Sequence, residues 1–238
     1  MFQNLKQLYG RKLGATDGDI GHVKDFYFDD KSWTVRYLVV DTGSWLTGRE
    51  VLLSPHAFGA HVFGKNDDDK ALAVNLTRKQ IEGSPSIDTH RPVSRQYEED
   101  YYRYYGWPVY WDEFGMGSAP VAPAVVPPAK PDSHHHHGHN QRDDLHLRST
   151  KAVTGYGIHA TDGEIGSVSS FMLDRKSWAI RELVVETGHW YAGKPILILP
   201  ANVTRISYDD SSVFVDLTKA TLARTTKDEV AHAGASRR

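Results

Sequence analysis

The chain has 238 residues, and its 28 Lys and Arg nearly balance 30 Asp and Glu, for a formal charge of −2. This balance provides no basic domain that would favour nucleic acid as a partner. The absence of cysteine excludes disulfides, thiolate metal sites and thiol nucleophiles. The polar N-terminal residues do not resemble a signal peptide, and the uncharged stretch 114–129 is interrupted by prolines. We therefore expect a cytoplasmic protein without a membrane span.

An internal repeat organises the sequence. The segment that begins Thr16-Asp17-Gly18 reappears as Thr161-Asp162-Gly163, at an offset of 145 residues. About half of the positions between 16 and 55 are identical to their counterparts at that offset. After Pro55 the two segments drift, and the later matches fall at an offset of 141, so the first copy has four extra residues around the acidic turn 65–70. The sequence therefore predicts two copies of one module.

Each copy has the turns and alternating apolar residues that are typical of β structure. In the first copy, the Asp17-Gly18 dipeptide predicts a tight turn and 29–32 predicts another. Alternating apolar residues predict strands at 20–28, 33–40 and 50–53, and a further hairpin from 61–63 and 71–76. A short helix capped by Thr77 should follow, and the stretch from Thr218 repeats it. Five or six short strands in about 65 residues predict a small closed barrel.

The segment between the copies is rich in aromatic residues, with nine among the eighteen residues 97–114. One interpretation is that this segment folds back onto the barrels while its tyrosine hydroxyls stay hydrated. The other is that it forms an aromatic patch that holds a partner or a second copy of the chain. The candidate partner-binding residues, including one tryptophan from a matching loop of each copy, are Trp45, Trp190, Tyr101, Tyr104, Tyr105, Trp107 and Trp111.

Residues 115–140 change to Pro, Ala, Gly and His, a composition typical of a flexible linker. A metal site from His134, His135, His136, His137 and His139 is the weaker alternative, because their spacing defines no coordination geometry. We therefore predict an all-β chain with two small antiparallel barrels related by internal duplication. The predicted divisions are a first barrel at 1–85, an aromatic connector at 86–114, a Pro/His-rich linker at 115–148 and a second barrel with its tail at 149–238.

The sequence Asp41-Thr42-Gly43 after two valines matches the aspartic protease signature, but the second copy has Glu186 in place of the second aspartate. We instead expect both carboxylates to accept hydrogen bonds from the loops that follow them. Trp45 and Trp190 are expected to fold over an open barrel end, with a paired recognition surface as the alternative. Trp33 and Trp178 should lie in or near the core. Arg36 and Arg181 should form structural ion pairs, with Asp41 and Glu186 or with Asp29 and Asp174, and an anion site is the alternative.

The runs Leu13–Gly21, Phe26–Asp29 and Tyr37–Gly43 resemble the PRC-barrel family. The resemblance covers about residues 5–85 and 150–225. This family includes the cytoplasmic domain of the photosynthetic reaction-centre H subunit and the C-terminal domain of a ribosome maturation factor. The resemblance implies a platform for protein or ribonucleoprotein contacts. The membrane helix of the H subunit and the extra N-terminal domain of the ribosome factor have no counterpart here.

These observations lead to one functional expectation. We expect a non-catalytic bacterial binding or adaptor module that mediates protein–protein contacts, needs no cofactor and associates with itself as a dimer. Its protein partner is not identified by the sequence. The alternatives are a soluble H-subunit-like protein linked to photosynthetic electron transport, and an accessory factor in ribosome or RNA maturation.

Overall fold

A computed structural model describes residues 2–59, 71–85, 95–109, 146–188, 191 and 193–224. We call the described residues up to 109 the first half and those from 146 the second half. The first half contains β1 (Phe2–Asn4), β2 (Lys12–Ala15), β3 (Gly18–Asp29), β4 (Thr34–Asp41), β5 (Glu50–Leu53), β6 (Leu72–Ala73), α1 (Arg78–Glu82) and α2 (Arg95–Tyr105). The second half contains β7 (Leu147–Ser149), α3 (Thr150–Val153), β8 (Gly157–Ala160), β9 (Gly163–Asp174), β10 (Ile180–Thr187), β11 (Pro195–Ile198), β12 (Val203–Ser207) and β13 (Ser212–Val215). The protein is mostly β with a few short helices, as predicted.

The predicted turns and helix starts are confirmed at several points. The turn at Asp17-Gly18 joins β2 to β3, and the turn after Asp29 joins β3 to β4. Thr77 begins α1 with a capping box, in which Thr77 and Gln80 each accept a backbone hydrogen bond from the other's residue. Residues 219–224 are helical, so a short helix also follows the last strand of the second half.

The strands form two sheets with matching orders. One runs β5-β4-β3-β2-β6, and the other runs β11-β10-β9-β8-β13-β12. Most neighbours are antiparallel, but β2–β6 and β8–β13 are parallel. In the second sheet, β12 follows β11 after the short turn Pro200–Asn202, and β13 then returns antiparallel to β12. The prediction of purely antiparallel sheets was therefore wrong at the pair that brings the last strand back to the first.

The prediction of closed barrels is not met, because each sheet is an open path in the part of the chain that the structure describes. No ladder joins β5 to β6 among these residues. Instead, the edges approach through one bridge between Phe58 and Val74 and a hydrogen bond of 2.8 Å from the Asn75 amide to the Ala57 carbonyl. Register shifts in the long strand β3 bend the sheet around its core without completing the closing ladder.

The two halves exchange short strands. β1 of the first half pairs with β9, where Phe2 faces Asp174, and β7 of the second half pairs with β3, where Leu147 faces Asp29. Both pairings obey the offset of 145 residues that relates the repeated sequences. The halves are therefore related by an approximate twofold arrangement within one chain.

Asp25 and its counterpart Ser170 fix these exchanged strands. Asp25 accepts hydrogen bonds from the Ser149 hydroxyl, from the Thr150 hydroxyl at 3.0 Å and from the Lys151 amide at 3.1 Å. Ser170 makes the equivalent contacts in the other half, with the side chain of Asn4 and the amide of Lys6. Burial raises the pKa of the Asp25 carboxyl, although these hydrogen bonds oppose the shift.

Trp33 and Trp178 lie where the halves meet. The Val35 amide donates to the Trp178 carbonyl at 2.8 Å, and the Ile180 amide donates to the Trp33 carbonyl at 2.7 Å. Both indoles are buried, as predicted, in one hydrophobic core that extends through the two halves. The core is therefore shared, and the halves pack as one body around it.

A repeated glycine allows two backbone segments to meet closely. Gly21 has a φ of 137°, and a Cβ atom there would lie 2.0 Å from the Asp41 carbonyl oxygen. Gly166 has a φ of 148°, and its Cβ would lie 2.0 Å from the Glu186 carbonyl oxygen. Only glycine fits this contact, which explains the second glycine of each repeated turn motif.

Candidate functional site

The aromatic helix α2 covers the side of the first sheet that faces away from the shared core. This outer face of the first half is formed by Tyr37 and Val39 of β4 and Leu52 of β5. Tyr101 and Tyr102 of α2 are buried against these three side chains. The interpretation that the aromatic segment folds back onto the β structure is therefore supported for the described part of that segment.

Hydrogen bonds also fix the helix in place. The Tyr101 hydroxyl donates to the Leu52 carbonyl at 3.1 Å and accepts from the Ser54 amide at 2.9 Å. The Tyr37 hydroxyl donates to Glu98 of α2 at 2.8 Å. Burial raises the pKa of Tyr101 well above its ordinary value, so this hydroxyl stays protonated. The expectation that the tyrosine hydroxyls stay hydrated was thus wrong for Tyr101, because the buried edge of β5 offers it backbone partners.

The aromatic rings pack mostly edge to face. The Tyr101 ring lies 5.4 Å from Tyr37 and 5.0 Å from Tyr105, measured between centroids. Tyr105 stacks on Trp107 at 4.5 Å. Tyr105 and Trp107 are half-buried, whereas Tyr104 is exposed. Of the candidate partner-binding tyrosines, only Tyr104 is exposed to solvent. Tyr101 is fully buried and therefore inaccessible to any partner.

Helix α1 and the residues that follow it are hydrogen-bonded both to the loop before β5 and to α2. Arg49 donates to the carbonyls of Glu82 at 3.0 Å and Ser84 at 2.6 Å. The Tyr97 hydroxyl donates to the Pro85 carbonyl at 3.0 Å, and the Tyr104 hydroxyl donates to the Gln80 carbonyl at 2.9 Å. The two tyrosine contacts join α2 to α1 and to the segment that follows α1.

Trp45 packs at an end of the first sheet. Its ring is partly buried against the core, and the Arg78 guanidinium lies 4.6 Å from its centroid. This cation–π contact places the start of α1 over the loop that carries Trp45. Its counterpart Trp190 and the candidate Trp111 lie outside the described residues, as does the histidine tract 134–139.

The acidic and basic residues of the repeat have mainly local partners. The Gly43 amide donates to Asp41 at 2.8 Å, which confirms the predicted role of that carboxylate. Glu186 accepts a hydrogen bond of 3.0 Å from Ser169 on the neighbouring strand. Its predicted loop contact stays a prediction, because residues 189, 190 and 192 of that loop lie outside the described residues. Arg181 pairs with Asp174 at 3.6 Å, as predicted. Arg36 donates to the Ser32 hydroxyl at 3.1 Å.

A cleft of about 760 Å³ lies between the halves. It is lined by Arg36, His56, Arg175, Lys176 and Trp178 among others. Burial, followed by the charge of Arg36, lowers the pKa of His56, so this ring is neutral at neutral pH. The remaining basic side chains give the cleft a chemistry that suits an anion. The sequence did not predict this cleft, because its walls come from segments more than 100 residues apart.

Two features of the described ranges concern metals and membranes. These residues contain no cluster of three or more His, Asp or Glu side chains arranged to hold a metal ion. None of the helices in the same ranges combines the length and apolar character needed to cross a bilayer. The predicted homodimer stays a prediction.

Comparison with known protein families identifies a domain in the first half. A model of the PRC-barrel domain family matches residues 5–81, which span β2 to β6 and most of α1. No curated protein matches the chain. The matched segment contains the repeated turn with Gly21 and the strand that carries the outer face of the first half. Residues 5–81 of this chain therefore belong to the PRC-barrel domain family.

Proposed function

We propose that this protein is a non-catalytic assembly module of two PRC-type halves, in which the first outer face holds the chain's own helix α2 and the second holds a protein partner. The observation that carries the proposal is α2 docked on the outer face of the first half. This contact buries two tyrosines of the helix against three side chains of the sheet and adds buried hydrogen bonds. An outer face of this fold therefore accommodates an aromatic helix with side-chain and backbone specificity.

The relation between the halves supports the same function. We infer that they arose by internal duplication, since β3 and β9 share the offset of 145 residues at both ends, and so do β5 and β11. The exchanged strands β1 and β7 and the shared core hold the two outer faces in a fixed relative position. A rigid body that holds α2 on one face and presents a second face at a fixed position suits the assembly of a partner onto the chain.

The acidic residues of the protease-like motif are already engaged. Asp41 caps its own loop, and Glu186 accepts a hydrogen bond from Ser169. An aspartic protease needs two carboxylates that share a proton, and these structural contacts are a poor basis for that chemistry. They support a module without catalytic activity.

The proposal is tested by cross-linking the tagged full chain in cells of its source and quantifying recovered proteins by mass spectrometry. We expect a defined protein recovered in constant ratio to the chain, equally from wild type and from Asp41→Ala. Hydrolysis of a peptide library at acid pH that is lost in Asp41→Ala would contradict the proposal. A chain that recovers nothing above a tag-only control would contradict it equally.

A further inference from the structure

The outer face of the second half carries exposed apolar side chains at the positions that α2 covers in the first half. Val184 on β10 faces Leu197 on β11, in the same register as Val39 and Leu52 in the first sheet. The exposed fraction of Leu197 is 39% and that of the nearby Leu199 is 55%. Their counterparts Leu52 and Ser54 are buried.

The exchanged strand β1 extends this apolar surface. Phe2 is 51% exposed and lies beside Asp174, on the same side of the sheet as Met172, because residues two apart on a strand share a face. Leu147 occupies the equivalent place in the first half, where it packs against the cluster that contains Tyr101. We call the surface formed by Phe2, Met172, Val184, Leu197 and Leu199 the open face.

The open face is acidic where the first half presents a hydroxyl. Glu182 stands at the position of Tyr37, and Glu186 lies two residues beyond Val184 on the same strand. In the first half, the sheet donates a hydrogen bond from Tyr37 to the helix carboxylate of Glu98. A helix on the open face would meet a carboxylate instead, so a Lys or Arg is the complementary residue at the position of Glu98.

We propose that the open face binds an amphipathic helix of another protein, with aromatic residues four apart and a Lys or Arg opposite Glu182. This inference rests on the proposed function and specifies the partner of the second half. A second copy of the chain fits less well, because two open faces would bring their glutamates together. The chain's own segment 225–238 contains no Phe, Trp or Tyr, and Val230 is its only large aliphatic residue.

The probe is a peptide with the sequence of residues 95–109 that carries Glu98→Lys. A hydrocarbon staple between positions 99 and 103, which are both exposed in α2, keeps the peptide helical without touching its apolar side. Binding of the fluorescently labelled peptide to the full chain is measured by anisotropy. We expect saturable binding that weakens at least tenfold with Leu197→Asp. The same peptide with the native Glu98 should also bind at least tenfold more weakly.

Tyr208→Asp is the matched control, because it places the same charge on another exposed apolar residue, which is 40% exposed in the turn between β12 and β13. Circular dichroism confirms that both variants fold. Equal weakening by Leu197→Asp and Tyr208→Asp would overturn the inference. So would binding that appears only after residues 225–238 are deleted, since the occupant would then be the chain's own tail.

Two further outcomes separate this inference from the proposed function. A dimer of the full chain that dissociates with Leu197→Asp would assign the open face to a second copy and overturn the inference. A native partner captured equally by wild type and Leu197→Asp would also overturn it, while leaving the assembly function standing. Capture that is lost with Leu197→Asp and kept with Tyr208→Asp, together with peptide binding, would support both.

Discussion

The hydroxyl of Tyr101 provides the sharpest test of how α2 is held. The substitution Tyr101→Phe keeps the ring packed against Tyr37 and removes only the hydrogen bonds to Leu52 and Ser54. The buried Ser54 amide then loses this acceptor. A buried polar group left without its partner costs about 1–3 kcal/mol, so we expect the free energy of unfolding to fall by about 2 kcal/mol. For a chain of this size, that change lowers Tm by about 4–8 °C.

The assay is urea unfolding of the full chain, followed by tryptophan fluorescence and by far-UV circular dichroism. Tyr104→Phe is the control, because its hydroxyl donates to Gln80 at an exposed position where water can replace it. That variant should lose less than about 0.5 kcal/mol. If Tyr101→Phe unfolds at the same urea concentration as wild type, the two buried hydrogen bonds do not stabilise the docked helix and the reasoning fails.

Three further predictions concern the join between the halves and the repeated turn. Gly21→Ala should destabilise the fold by about 3 kcal/mol or more in urea unfolding, because its Cβ meets backbone, whereas Gly43→Ala, with a φ of 55° and open space, should lose only about 1 kcal/mol. Leu147→Ala should lower the unfolding free energy by about 1–2 kcal/mol and Phe2→Ala by less than half of that, since only Leu147 packs under α2. Burial raises the folded pKa of Asp25 above its ordinary 3.8, so the stability contributed by this carboxyl is complete below that value and is lost as the pH rises through the folded pKa. The unfolding free energy of Asp25→Asn minus that of wild type should therefore increase as the pH rises from 3.8 through the folded pKa. A difference that does not change with pH would contradict the assigned burial of Asp25.

The parts of the fold that depend on neighbouring residues could be predicted from the sequence. The Asp-Gly turn, the strand beginning near Ile20 and the capped start of α1 at Thr77 each follow from local backbone preferences. The buried position of Trp33 also follows, because a large apolar side chain repeated in both copies at a strand start is typical of a core. None of these features requires knowledge of which segments meet across the chain.

The exchange of β1 and β7 could not be predicted in the same way. Phe2 and Leu147 differ in identity and lie in strands of three residues, which carry too little alternation to be recognised. Their partners lie more than 100 residues away, so the pairing is decided by the shared core and not by local preference. The basic cleft was missed for the same reason, since Arg36 and Arg175 come together only when the halves pack.

The alternating pattern of 33–40 predicts that Val35, Tyr37 and Val39 share one face, but the structure places Val35 on the core side and the other two on the outer face. A register shift between Tyr27 and Phe28 on β3 moves Val35 to the core side while Tyr37 turns to the outer face. A regular strand would have placed both residues on one side. Regular alternation places Tyr37 on the same side as Val35. The sequence therefore did not indicate that Tyr37 faces the helix α2.

The two copies of the repeat differ more on their outer faces than in their cores. The residues that face the core differ little between the copies, since Leu38 and Val40 of the first are matched by Leu183 and Val185 of the second. The outer positions differ in kind. Where the first half has Tyr37, which donates a hydrogen bond to α2, the second half has a glutamate.

Ser54, whose buried amide contacts Tyr101, is likewise replaced by Leu199, which is largely exposed. Substitutions that kept both cores intact but changed one outer face are expected if the two faces hold different helices. The first face holds the chain's own α2, in which Glu98 accepts a hydrogen bond from Tyr37. Because a glutamate replaces Tyr37 on the open face, the helix proposed to bind there should keep the aromatic side chains and carry a positive charge at the position of Glu98.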